Sequence, residues 1–202
     1  MLQRVVLASS NRGKLTEFGE LFAGSGFDVV PQASLGVQDA DETGLTFVEN
    51  ALLKARNAAQ ATGLPALADD SGLCVEYLHN APGLYSARYS GGHGDDAANN
   101  AKLLRELEGV PAERRGAFFI CVLVLLQHAD DPAPLIAEGR WYGRILHAGR
   151  GDGGFGYNPV FLPEGCEQSV AEMDVALKNR LSHRGQALAK LHARLAELHA
   201  SA

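Results

Sequence analysis

Asp69 and Asp70 stand side by side, with Leu64-Pro65-Ala66-Leu67-Ala68 before them and Leu73-Cys74-Val75 following after Ser71-Gly72. A carboxylate stays ionised only where water, a cation or several donors stabilise it. A pair wedged between strand-forming runs therefore points to a sheet end with something to hold. A divalent cation is the natural candidate, because neighbouring carboxylates repel unless positive charge lies between them. Asp, Ser and Gly are also favoured turn residues, so an acidic turn explains the same letters. The pair alone leaves both readings open.

Other residues bear on the choice. The loop Ser9-Ser10-Asn11-Arg12-Gly13-Lys14 brings hydroxyls, an amide, a turn glycine and a lysine to a helix start, which supplies donors and a positive dipole end for phosphate. It is not a Walker A loop, since GxxxxGK[ST] is absent and Leu15 follows Lys14. A helix cap with solvated charges is the competing reading. Lys54 lies on an Ala-rich helix, four residues after Asn50 and five after Glu49, where a surface pairing is the plain alternative. Glu42 belongs to the acidic stretch Asp39-Ala40-Asp41-Glu42-Thr43-Gly44, which also reads as a solvated loop. Ser182-His183-Arg184-Gly185 gathers several donors at the start of the last helix, with surface capping as the alternative.

The elements that must position these residues follow from periodicity. Arg4 to Ala8 reads as a buried strand, and Lys14 to Phe22 places Leu15, Phe18, Leu21 and Phe22 on one helical face. Thr46-Phe47-Val48-Glu49 has the spacing of a capping box and opens a helix to about Ala61, ended by Thr62-Gly63 and Pro65. Strands are expected at Leu73–Leu78, Ala117–Leu126, Pro134–Glu138 and Arg140–Leu146, with a polar helix from about Asp95 to Leu107. Gly149 to Gly156 holds five glycines in eight residues, which excludes regular structure and suggests backbone packed closely against a ligand or another segment. Leu188, Leu191, Leu195 and Leu198 form one apolar stripe, for core or dimer contact. This alternation gives an α/β architecture with a central mixed β-sheet and flanking helices.

Composition sets the bounds. A chain of 202 residues fits one domain, 1–202. Its net charge of -6 argues against broad nucleic-acid binding, though a local cluster of Lys and Arg still suits a small phosphate ligand. No segment has the length of a membrane span, and the apolar N-terminal stretch is too brief for a signal-peptide core, so a cytoplasmic protein is expected. Cys74, Cys121 and Cys166 show no metal-ligand spacing, and Cys74 and Cys121, which lie inside apolar runs, are assigned to packing.

Taken together, VVLASSNRGK, TGLTFVENALLKA, LADDSG, APGLYSARYSG, GGFGYNPVF and LSHRGQAL resemble, in order and over nearly the whole chain, the inosine triphosphate pyrophosphatase family. These are the Ham1-like noncanonical purine NTP pyrophosphatases. The resemblance implies magnesium-dependent hydrolysis of dITP, ITP and XTP to the monophosphate and pyrophosphate. It also implies a homodimer and an elongated, two-lobed fold with the active-site cleft between the lobes. Position by position, Ser9, Ser10, Asn11, Arg12, Gly13 and Lys14 match the phosphate-binding loop and Lys54 a further phosphate contact. Asp70 matches the catalytic carboxylate and metal ligand, Glu42 the second metal ligand and Ser71 a substrate contact, while Asp69 is a supporting carboxylate. Phe155, Gly156, Tyr157, Asn158, Lys178, His183 and Arg184 match nucleoside-binding positions. Asn158 departs from the family's usual Asp, exchanging an acceptor-only group for an amide that also donates.

Two other readings compete. A Maf-like nucleotide pyrophosphatase also begins with a strand ending in Leu-Ala-Ser, but continues with a Ser-Pro-Arg-Arg type loop that this chain lacks. A non-catalytic nucleotide-binding regulator would not need Glu42, Asp69, Asp70 and Lys54 together.

Overall fold

Residues 3–22, 27–92 and 94–200 are described by the computed structural model of the chain. Its elements run β1 (Gln3–Leu7), α1 (Arg12–Phe22), β2 (Phe27–Pro31), α2 (Phe47–Thr62), β3 (Ala66–Val75), α3 (Asp96–Glu106) and β4 (Gly116–Leu126). β5 (Leu135–Ile145), β6 (Phe161–Pro163), α4 (Val175–Leu181) and α5 (His183–Ala200) complete the chain. The strands form one six-stranded sheet in the order β2-β1-β3-β4-β5-β6. β1 pairs parallel with β2 and β3, and β6 pairs antiparallel with β5, so the sheet is mixed as expected.

Local chemistry accounts for the helix boundaries. Thr46 caps α2, its Oγ1 accepting from the Glu49 amide at 3.3 Å, while Glu49 reaches back to the Leu45 amide at 2.9 Å. Gly63 ends the helix in the left-handed conformation, with φ of 67°. Asp95 caps α3 and Asp174 caps α4 in the same side-chain-to-backbone manner.

Two strands differ from the expectation. Asp69 and Asp70 lie in the interior of β3, a single ten-residue strand, and not in a turn or at a sheet end. Ser71-Gly72 is likewise strand, and the strand stops at Val75 before a short helical turn over Glu76–Leu78. The segments on either side of Gly139 form one strand, β5, because a lone glycine weakens a strand without ending it. The short elements β6, of three residues, and α4, of seven, lie below the length at which periodicity identifies an element, and β2 is not among the expected strands either.

The chain divides into two compact units, the boundaries falling within β3, β4 and β5 and at the start of α5. The first unit comprises residues 1–70, 121–139 and 184–202. Its core joins Val5, Leu7 and Leu67 to Phe18 of α1 and to Leu188, Leu191 and Leu195 of α5. The C-terminal leucine stripe is therefore core at these three positions. The side chains of Leu21, Phe22 and Leu198 fall outside the described set. The second unit, residues 71–120 and 140–183, has its own core of Leu73, Val75, Leu103, Leu107, Phe119, Trp141, Tyr157 and Phe161. Cys74 and Cys121 are buried, and burial pushes the Cys74 thiol up to about 11, consistent with a packing role.

Candidate active site

The first unit contains a buried constellation of charge. Successive side chains of a strand point to opposite faces of its sheet, so adjacent aspartates within β3 must serve different neighbours. Asp69 meets Lys14 of α1, with Nζ 2.9 Å from Oδ2, and Arg184 of α5, with Nε 3.6 Å from the same oxygen. Asp70 faces α2, where Lys54 Nζ lies 2.8 Å from Oδ1 and Asn50 Nδ2 lies 3.5 Å from Oδ2. These cations explain why two carboxylates are tolerated within a strand. Asp69 is 1% exposed and Asp70 6%.

The two groups titrate in opposite directions. Burial opposes ionisation of Asp69, but the charges of Lys14, Arg184 and Lys54 override it and hold the carboxyl well below the ordinary range. For Asp70 burial wins over the pull of Lys54 and Lys14, Glu42 adds to the upward push, and the carboxyl lies above the ordinary range. Burial would lower the Lys54 ammonium, yet Asp70, Asp69 and Glu42 raise it, so it stays charged. One aspartate is a fixed anion; its neighbour is a carboxylate suited to taking a proton.

Lys54 also lies 3.0 Å from Glu42 Oε1, so a single ammonium joins the two acids expected to bind metal. Glu42 itself sits in the loop before α2. Asn50 ties that loop to the strand, its Oδ1 accepting from the Gly44 amide at 2.8 Å while its Nδ2 faces Asp70. The surface pairing open to Lys54 from its spacing is not formed: Glu49 is spent on the cap, and Asn50 and Lys54 both turn toward Asp70.

The strand-to-helix loop is built as a cap. Asn11 Oδ1 accepts from the Lys14 amide at 3.0 Å, and the Asn11 amide donates to Ser9 Oγ at 3.3 Å. No acidic residue occupies the first turn of α1, which leaves the positive end of its dipole without an internal counter-charge. Ser10 Oγ donates to Asp39 Oδ2 at 2.5 Å. Gly13 belongs to α1, and the Arg12 side chain lies outside the described set.

The second unit holds the glycine-rich loop. Gly156 is fixed on both sides by α3: its amide donates to Asp96 Oδ2 at 2.6 Å, and its carbonyl accepts from Asn100 Nδ2 at 2.9 Å. A Cβ on Gly153 would lie 2.5 Å from the Ala171 carbonyl oxygen, and one on Gly154 would lie 2.1 Å from Asn158 Nδ2. Close packing is therefore what Gly153 and Gly154 serve, whereas a Cβ on Gly156 would meet nothing within 4 Å and that residue instead holds a φ of 65°. Lys178 Nζ stands 5.5 Å from the Phe155 ring centroid. Tyr157 is core, its hydroxyl donating to the Ser86 carbonyl at 2.9 Å. Asn158 is buried, and His183 stacks on Phe119 at 4.9 Å. Ser71 is half-buried on β3 next to Asp70.

Arg184, grouped with His183 on sequence grounds, is committed in the first unit, where its Nη1 donates to Glu17 Oε2 at 2.5 Å. Glu17, Asn50, Asp96 and Asn100 were not identified from the sequence. Only the four-residue spacing of Asn50 from Lys54 and of Asp96 from Asn100 hinted at shared helix faces.

Among the described residues no three His, Cys, Asp or Glu side chains cluster as a metal site. Glu42 and Asp70 nevertheless fit a hard divalent cation: both present oxygen donors to one point, which a positive charge already occupies.

Comparison with known proteins adds independent information. Residues 5–194 match the model of the Ham1 family. A dITP/XTP pyrophosphatase from Xanthomonas oryzae pv. oryzae is 61% identical over 194 residues, covering 96% of this chain and 98% of that protein. One from Ralstonia nicotianae is 57% identical over 197 residues, covering 96% and 97%. Among solved structures, a HAM1 protein from Coxiella burnetii superposes with a TM-score of 0.89 at 48% identity, covering 96% of this chain and 99% of that one.

Proposed function

The chain belongs to the Ham1 family, and from that premise we propose that it hydrolyses the noncanonical purine triphosphates dITP, ITP and XTP to the monophosphate and pyrophosphate. The observation that carries the chemistry is Asp70, a carboxylate raised above its ordinary range beside Lys54 and Glu42. Cleavage between the α and β phosphates needs a water aimed at the α-phosphorus, a base for its proton and positive charge for the leaving pyrophosphate.

Asp70 takes the proton. Lys14, Lys54 and the donors of Ser9, Ser10, Asn11, Arg12 and Gly13 steady the phosphates at the start of α1. Asp69 keeps Lys14 in place through their 2.9 Å pair. A magnesium ion, held by Glu42 and Asp70, would neutralise charge on the phosphates when bound. Ser71 contacts substrate.

Phe155, Gly156, Tyr157, Asn158, Lys178, His183 and Arg184 carry the nucleoside in this reading. Hypoxanthine and xanthine present an O6 acceptor where adenine presents an amino donor, so donors built to meet O6 are left unpaired opposite adenine. His183 supplies such a donor. Arg184 matches a nucleoside-binding position of the family, with its Nη1 beside Glu17 and its Nε facing Asp69. The homodimer implied by the family resemblance and a cytoplasmic location belong to the same reading. Among the described residues no helix is long and apolar enough to cross a membrane.

The test is direct: with dITP and magnesium, pyrophosphate is the expected product and ATP the poorer substrate. Orthophosphate release, or equal rates on ATP and dITP, overturns the reading. The loop carrying Glu42 gives a second expectation. A Cβ on Gly44 would lie 2.6 Å from Glu49 Cβ and 2.7 Å from Asn50 Oδ1, too close for these groups to stay where they are. Gly44→Ala should therefore displace the Asn50 tether and lower kcat/KM for dITP by about tenfold, a loss typical of misplaced positioning groups.

A further inference from the structure

Lys54 occupies the position between the two carboxylates that the proposed function gives to the cation. Its Nζ is 2.8 Å from Asp70 Oδ1 and 3.0 Å from Glu42 Oε1, and its side chain is largely buried. An ammonium and a divalent cation cannot share those oxygens without strong repulsion at this range in a low-dielectric setting. One must leave for the other to bind.

The surrounding structure says which group is free to exchange. Lys14 is pinned by Asp69 on the other face of β3, its Nζ 2.9 Å from Oδ2. α2 is anchored by Ala51, Ala55, Ala58 and Ala59, all buried, so the helix stays in place. Lys54 alone combines a flexible four-carbon stem with partners that a cation would claim. Phosphate oxygens of a bound nucleotide would replace the contacts it loses.

We propose that Lys54 is a placeholder for the divalent cation: it closes the Glu42–Asp70 pair in the free protein and passes to the phosphate chain when metal and nucleotide arrive together. This rests on the pyrophosphatase reading for the nucleotide and on the structure for the exchange. The free protein then binds cation weakly, and cation and triphosphate are taken up as a unit.

Titration of nucleotide-free protein with Mn2+, followed by its electron paramagnetic resonance signal, tests the exchange. Lys54→Met should bind Mn2+ about tenfold more tightly than the wild type, within the usual range of coupling between charged ligands. Lys54→Arg, which retains the charge, should stay close to wild type, and adding Glu42→Gln to Lys54→Met should remove the gain. Mn2+ affinity in Lys54→Met equal to or below wild type overturns the proposal. If that variant does not fold, Lys54→Gln carries the same comparison. Pyrophosphate release from dITP by the wild type is measured separately. A wild type that releases pyrophosphate beside a Lys54→Met that gains no Mn2+ affinity refutes the placeholder alone, and absence of pyrophosphate refutes the enzymatic reading alone.

Discussion

Asp70→Asn is expected to lower the turnover of dITP by about 10²–10⁴-fold, the range for loss of a positioned general base, while nucleotide affinity stays largely intact. The substitution preserves shape and keeps an oxygen for Lys54, so the phosphate-binding donors remain where they are. It removes the group able to accept the proton of the attacking water and, with it, one of the two anionic ligands proposed for the cation. The same change should leave the fold as stable as before or more so, because a carboxyl held above its ordinary range is one whose ionised form the folded state disfavours at neutral pH. Activity and stability thus move in opposite directions. Asp69→Asn should do the reverse and lower stability, since its carboxylate is the form the fold selects. Steady-state kinetics and urea unfolding on the two variants separate these outcomes, and near-normal turnover in Asp70→Asn would sink the assignment.

Arg184→Met should destabilise the protein by about 3–5 kcal/mol at neutral pH, the usual consequence of removing one partner from a buried ion pair. Its guanidinium stands between Glu17 and Asp69, both buried, and its loss leaves Glu17 without that positive charge and Asp69 dependent on Lys14. Adding Glu17→Gln should recover part of the loss, because the stranded charge goes with it. The pH dependence has a definite sign. Asp69 has a folded-state pKa below its unfolded one, so its contribution is present above about pH 4 and fades as pH falls toward the folded value. The gap between wild type and Arg184→Met should therefore narrow in acid. A loss under about 1 kcal/mol in urea unfolding at neutral pH would contradict this account.

Much of the fold could be read from neighbouring residues, because it depends on them. Thr46 and Glu49 announced the start of α2, and the leucines after Leu188 announced a buried helix face. The middle of β3 could not be read that way. Asp-Asp-Ser-Gly has the composition of a turn, and only Lys14, Lys54 and Arg184, brought from 55, 16 and 115 residues away, turn it into strand. Charge compensation over such separations leaves no local pattern. The same holds for Gly156, whose glycine-rich surroundings were conspicuous but whose supports, Asp96 and Asn100, lie far back along the chain. Gly139 misled in the opposite sense, marking a break where the strand continues.

The placement of Asp70 on a continuous strand makes the proposed catalytic carboxylate impossible to relocate by small steps. Moved one position either way, to 69 or 71, it would emerge on the opposite side of the sheet, away from Lys54 and Glu42. Moved two, to 68 or 72, it would keep the face but shift by roughly 6–7 Å, more than a water and its proton acceptor can span. A second-site carboxylate therefore has nowhere on β3 from which to rescue Asp70→Asn.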